Sequence, residues 1–271
     1  MERESQETVD EVRMSFFDHL EELRQRLIRA VIAILIGFGL CIGFKERLYN
    51  ILADPILQLL PKDSSLVFTS LPDPFFIHLK VAFIVGLFLA FPFVLYQMWL
   101  FVKPGLLEHE RKLALPVIII ATLLFYSGAC FAYFVVFPAA FSFFLGYETT
   151  VLKPMISIKE YVSLVALLML AFGAVFETPV LIVFLGLLGV VDSAFLKKGR
   201  RYFVVISFII AAILTPTPDV INQTLMAVPM LIFYELGIQI LVIFEKRRRK
   251  KEAEEDREPE KNEDEETQTK D

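Results

Sequence analysis

YVSLVALLMLAFGAVFETPVLIVFLGLLGVV, residues 161–191, decides the fold, because it is apolar throughout except at Ser163, Glu177 and Thr178. A membrane-spanning helix needs roughly 20 mostly apolar residues, and this run is long enough. Comparable runs occur at 27–44, 79–102 and 113–137. The whole composition agrees: 56% of residues are hydrophobic, 27 are phenylalanine, and the mean hydropathy is +0.59. These values lie far from those of soluble domains. The chain reads as an all-α integral membrane protein.

The later part of the chain is settled by charge rather than length. Lys197, Lys198, Arg200 and Arg201 form one basic segment and residues 246–251 form another. Short basic connections stay on the cytoplasmic side, so the chain must leave and return between them. This predicts two short helices, 201–214 and 220–244, joined at Thr215, Pro216, Thr217 and Pro218, and six spanning helices in total. Arg24, Arg26 and Arg29 precede the first helix, and Lys103, Arg111 and Lys112 lie in the second connection. Both termini are therefore expected in the cytoplasm, with 45–78, 146–160 and 214–219 as outer connections. Residues 1–29 are rich in charge and lack a cleavage pattern, which predicts an uncleaved first helix. Three regions follow: a cytoplasmic tail at 1–14, the membrane domain at 15–245, and a charged tail at 246–271. That last tail has no aromatic residue, and its composition is that of a disordered segment.

Local punctuation fits this plan. Asp73-Pro74 reads as an N-cap followed by proline at the first helical position. Ser157 to Glu160 reads as a capping box, and Thr217-Pro218 as a further helix start. Pro92, Pro116, Pro138, Pro179 and Pro229 fall in or beside spans, where each frees a backbone carbonyl and bends the helix. A curved, concave bundle is the expected result. Cys41 and Cys130 lie in apolar helices and read as packing residues. The chain has no internal repeat, which argues against an inverted-repeat transporter, and no phosphate-binding loop.

Four clusters carry polar chemistry. HLEELRQRL, residues 19–27, has Phe16, Phe17, Leu20, Leu23 and Leu27 at helical spacing, with Glu21, Glu22, Arg24, Gln25 and Arg26 on the other face. It is an interfacial amphipathic helix. The connection after the second helix carries Glu108, His109 and Glu110 on the same cytoplasmic side. The two acidic groups are either ordinary solvated charge or a cation site, and a guanidinium fork would suit them better than an ammonium. Glu177 and Glu235 lie within apolar runs, where a charge costs a few kcal/mol or more. Each is either satisfied by a neighbouring helix or functional. Asp219 and Gln223 sit at the last outer turn, where Asp219 also suits the positive end of a helix. His19, His78 and His109 are scattered on opposite sides, so no nucleophile or metal set points to an enzyme.

HLEELRQRL, PFF (74–76), LYQMWLFVKPGLLEHERK (95–112), LLFYSGACFAYFVVFP (123–138), AFGAVFETPV (171–180) and LTPTPDVINQTLMAVPM (214–230) together resemble the TatC family, the receptor subunit of the twin-arginine protein translocase. The resemblance covers about residues 15–245. It implies a cup-shaped, six-helix protein of the bacterial cytoplasmic (inner) membrane, with helices five and six short. Glu22 and Glu110 match the acidic positions that contact the twin arginines, Phe101 an aromatic beside them, and Arg24 a basic position of the same motif. Pro55 matches a proline of the first outer loop, Glu177 the acid within the membrane, and Asp219 with Gln223 the polar pair at the last outer turn. The chain departs from the pattern in having Glu21 directly before Glu22, and TPTPD where some relatives have a shorter TPPD.

The implied function is that of a signal-peptide receptor and core scaffold for export of folded proteins, driven by the proton-motive force. Its partners would be TatA-type and TatB-type single-span subunits, twin-arginine signal peptides and the lipid bilayer, in an oligomeric complex. Neither a cofactor nor a nucleic acid is expected. The competing reading is a proton-coupled small-solute transporter using Glu177 and Glu235 as proton carriers.

Overall fold

The computed structural model describes residues 2–60, 66–103, 114–146, 155–214 and 220–255, with side chains placed from 17 to 248 except 222. Its elements are α1 (Glu2–Ile42), α2 (Lys45–Leu57), α3 (Asp73–Val102), α4 (Ala114–Phe131), a π turn (Ala132–Val136), α5 (Phe137–Leu145), α6 (Ile158–Phe176), α7 (Thr178–Leu187), α8 (Ser193–Leu214) and α9 (Val220–Glu255). Among the described residues there is no strand, only an isolated bridge between Val67 and Ser157. Five stretches among the described residues are long and apolar enough to cross a membrane: Phe17–Ile42, Asp73–Val102, Ala114–Leu145, Ile158–Phe176 and Gln223–Arg248. The expected all-α membrane architecture is present.

Several boundaries differ from the pattern-based expectation, each for a local reason. The connection at 45–78 contains α2, which buries Leu52, Ala53 and Ile56. The run at 161–191 is two helices, because α6 stops at Phe176 and α7 begins with Thr178 and Pro179. Helix α8 starts at Ser193 rather than 201. Asp192 Oδ1 accepts the Phe195 N–H at 2.6 Å, an N-cap ahead of the basic segment. The last helix continues past 244 to Glu255. Asp73 is the first residue of α3, not its cap; its carboxylate turns back to accept the Ser70 N–H at 2.9 Å and faces Lys159 at 3.7 Å. Ser157 occupies the N-cap of α6 without a side-chain cap bond. Cys41 is buried, whereas Cys130 is exposed on the helix surface. The Thr217-Pro218 helix start lies outside the described residues.

Prolines inside helices remove an N–H and orphan the carbonyl four residues back. In hydrocarbon that carbonyl needs another donor. The fold supplies one at two such prolines. Pro55 frees Ile51, whose carbonyl accepts the Tyr133 hydroxyl at 2.7 Å. Pro92 frees Phe88, which accepts the Tyr126 hydroxyl at 2.8 Å. At the break between α6 and α7, the last-turn carbonyl of Val175 accepts the Thr178 hydroxyl at 2.6 Å. Tyr161 adds a bond to the Leu52 carbonyl at 2.6 Å, so α2 is anchored on the bundle by two tyrosines.

Lipid tails are as apolar as leucine, so helix association in the bilayer depends on close packing rather than water exclusion. The α1–α3 seam shows this most clearly. A Cβ on Gly37 would lie 2.5 Å from the Gly86 carbonyl oxygen, and one on Gly86 would lie 2.4 Å from the Phe38 nitrogen. The two backbones touch. The main core gathers Phe137, Val162, Val165, Leu168, Phe172 and Met226 from the π turn region, α6 and α9. A smaller cluster of Ile182, Tyr234, Ile238 and Leu241 joins α7 to α9.

Candidate functional site

Helix α1 reaches the C-terminal end of α3 through His19, whose ring stacks on Phe101 with centroids 4.3 Å apart and planes 13° from parallel. Glu22 follows His19 by three residues, so it stands on the same helix face. Its carboxylate pairs with Arg26 at 3.0 Å, with side-chain exposures of 34% and 21% for Glu22 and Arg26. Glu21 points the other way. It meets Arg24 at 3.4 Å, and that pair is far more open, at 72% for Arg24 and 53% for Glu21. The geometry therefore separates two acids that the sequence leaves equivalent. Glu22 is the one on the helix face of His19, the residue that stacks on Phe101. Glu110 belongs to residues 104–113, outside the described residues, in the connection that leaves α3 just beyond Phe101.

A cavity of about 280 Å³ opens between α3, α4 and α7, lined among others by Phe91, Met98, Trp99, Phe125, Glu177 and Phe184. A second, of about 290 Å³, shares Trp99, Val117, Val180 and Phe184 with it and extends to Pro116, Leu187 and Phe244. Together they form an apolar groove. It runs from the level of Glu177 to Trp99 on α3 and Leu187 at the end of α7. Glu177 sits at the break between α6 and α7, not in mid-helix as expected, because Pro179 starts a new helix there. Its Oε1 is buried without a hydrogen-bond partner, as is the Nε1–H of Trp99 on the same cavity wall. An unsatisfied buried polar group costs about 1–3 kcal/mol. The groove is thus apolar overall, with two unsatisfied polar atoms buried in its wall.

Glu235 differs from Glu177. Its carboxylate accepts from Arg200 at 2.6 Å and from Gln239 at 2.8 Å, and the Arg200 and Glu235 side chains are 48% and 44% exposed. It is a paired group on the outside of α8 and α9. Pro55 is a kink residue whose freed carbonyl is held by Tyr133. Gln223 lies half-buried in the first turn of α9, and Asp219 lies outside the described residues. Arg24 is exposed beside Glu21. Thus Glu22 and Phe101 share one end of the bundle, Glu177 lies at the far end of the groove, and Glu235, Pro55 and Gln223 lie elsewhere. His19 and Trp99 join the site without having been singled out. The chain has 1 Trp, and its place within the 95–112 motif was the available signal.

The family profile described as Sec-independent protein translocase protein (TatC) matches residues 18–229. The Sec-independent protein translocase protein TatC of Desulforapulum autotrophicum is 42% identical over 239 residues, which is 88% of either chain. That of Escherichia coli K12 is 41% identical over 220 residues, 81% of this chain and 85% of the other. A crystal structure of the twin-arginine translocase receptor TatC in DDM superposes with a TM-score of 0.74 at 42% identity, covering 82% of this chain and 99% of that one. Sequence and three-dimensional likeness extend over the same membrane region, and the chain belongs to the TatC family of Sec-independent protein translocase proteins.

Proposed function

We propose that this chain is the twin-arginine signal-peptide receptor and core scaffold of a Tat translocase in the bacterial cytoplasmic membrane, exporting folded proteins with the proton-motive force. The observation that carries the reading is the 42% identity to receptor crystal structures over 82% of the chain. Glu22 and Glu110 receive the two guanidinium groups, with Phe101 beside them. Charge-assisted contacts of this kind contribute about 1.5–3 kcal/mol each. The apolar part of the signal peptide then follows the groove lined by Trp99 and Phe184. Single-span TatA-type and TatB-type subunits complete the complex. The solute-transporter alternative needs two free carboxyls within the membrane, and the Arg200 contact of Glu235 leaves it one.

A photoreactive phenylalanine analogue at position 101 leaves both acids in place. In membranes, it is expected to cross-link a twin-arginine peptide and not its twin-lysine counterpart. Equal labelling of both peptides would sink the receptor reading.

Arg26 already holds Glu22, so an incoming arginine must exchange with it. Pairs at this helical spacing are worth about 0.3–0.5 kcal/mol. Arg26→Gln is therefore expected to tighten twin-arginine peptide binding about twofold, read by titration of a labelled peptide. Weaker binding would make Arg26 a contact rather than a placeholder.

Glu177 supplies the polar step in the groove, where its buried Oε1 lacks a hydrogen-bond partner. Glu177→Ala is expected to reduce export and partner assembly severalfold, and Glu177→Gln less so because the amide keeps an acceptor. Normal export and assembly in both variants would remove Glu177 from the mechanism.

A further inference from the structure

Next to the Phe244 end of the groove, the start of α8 is fastened to α9. Glu245 of α9 accepts the Ser193 N–H at 2.7 Å and the Ser193 hydroxyl at 2.5 Å, so it caps α8 from a separate helix. This tie places the basic segment of α8 beside the basic end of α9. Lys197, Lys198, Lys246 and Arg247 are all exposed there. Membrane orientation alone requires cations on one side of the bilayer; it does not require two separate cationic segments to be joined. The aromatic residues point the same way. Phe195 is 66% exposed and Tyr202 is 58% exposed within the same segment, and Arg201 lies over the Tyr202 ring at 4.7 Å. Exposed aromatics interleaved with cations suit the headgroup level of a bilayer. The nearby acids, Asp192 and Glu245, are engaged in capping α8.

We propose that Lys197, Lys198, Lys246 and Arg247 form a binding site for anionic phospholipid headgroups, with Phe195 and Tyr202 set among the acyl chains. A lipid is favoured over an acidic polypeptide because the cations of α9 begin at Lys246, two residues after its apolar run ends at Phe244, where headgroups lie. The phosphate and its counter-charge-free glycerol headgroup meet several cations at once. Clusters of this size next to a span bind anionic lipid, with each cation near the surface worth about fivefold.

The test is native mass spectrometry of the full-length protein in detergent, titrated with phosphatidylglycerol or with phosphatidylcholine of identical acyl chains. Phosphatidylglycerol is expected to bind at least tenfold more tightly. The variant Lys197→Gln/Lys198→Gln/Lys246→Gln/Arg247→Gln is expected to bring that preference below twofold, while arginine at the three lysine positions retains it. Lys45→Gln/Arg47→Gln, at the other end of the bundle, should leave the preference intact. Overturning results are equal binding of both lipids by the unaltered protein, or an undiminished preference in the glutamine variant. Displacement of the lipid by soluble polyglutamate at matched charge would assign the site to an acidic polypeptide and overturn the proposal as well. None of these measurements involves a signal peptide, so they stand apart from the receptor reading.

Discussion

Gly86→Leu is expected to leave almost no folded protein in detergent extracts of the membrane. The α1–α3 seam has no room for even a methyl group. A Cβ at position 86 would lie 2.4 Å from the Phe38 nitrogen and 2.7 Å from the Gly37 carbonyl carbon. Both are backbone atoms, and no side-chain rotation relieves the clash. The helices must separate, which forfeits the close packing that holds them in lipid. Overpacking a well-fitted interior costs about 1–3 kcal/mol when side chains can adjust, and here they cannot. A neighbouring glycine provides the internal control, since nothing lies within 4 Å of a Cβ at Gly39. Gly39→Leu should elute as a single species in size-exclusion chromatography and melt near the unaltered protein. If Gly86→Leu behaved like Gly39→Leu, the described seam would be wrong.

The bilayer makes much of this fold readable from one dimension. A hydrocarbon core of about 30 Å sets a minimum apolar length, and the expected runs at 27–44, 79–102 and 113–137 coincide with long helical stretches for that reason. Helix α2 escapes the same reading. It has 13 residues, contains Pro55, and is held by hydroxyls of Tyr133 and Tyr161 from far along the chain. No periodicity records those bonds. The early start of α8 is different, because Asp192 just ahead of Ser193 is a cap signal. The following lysines and arginines give the segment the look of a loop. The helix break at Glu177 was foreshadowed by Pro179, yet length alone made 161–191 look like one span.

The site was legible in part. An acid inside an apolar run draws notice to Glu177, but only the three-dimensional arrangement sets its bare oxygen on a wall shared with Trp99. Glu235 raises the same question in the sequence, without a proline beside it. Arg200, 35 residues away, gives it a different character. Glu21 and Glu22 are adjacent, and helical geometry sends them to different faces. One meets solvent, and the other shares the face of His19, which stacks on Phe101.

Glu22→Gln/Glu110→Gln is expected to produce the largest functional loss. Each substitution keeps the size of the side chain and one acceptor oxygen while removing the charge that selects a guanidinium. Two charge-assisted contacts at about 1.5 kcal/mol or more each amount to about 3 kcal/mol, or roughly a hundredfold in affinity. A lysine ammonium lacks the planar fork that matches a carboxylate, so the unaltered protein should also discriminate between the two cations. The decisive measurement is therefore a binding titration on protein reconstituted in nanodiscs, using fluorescent peptides that differ only as Arg-Arg or Lys-Lys. The unaltered protein is predicted to prefer the Arg-Arg peptide at least tenfold, and the double variant to bind both weakly with less than twofold preference. A double variant that keeps the full arginine preference would contradict recognition by these acids.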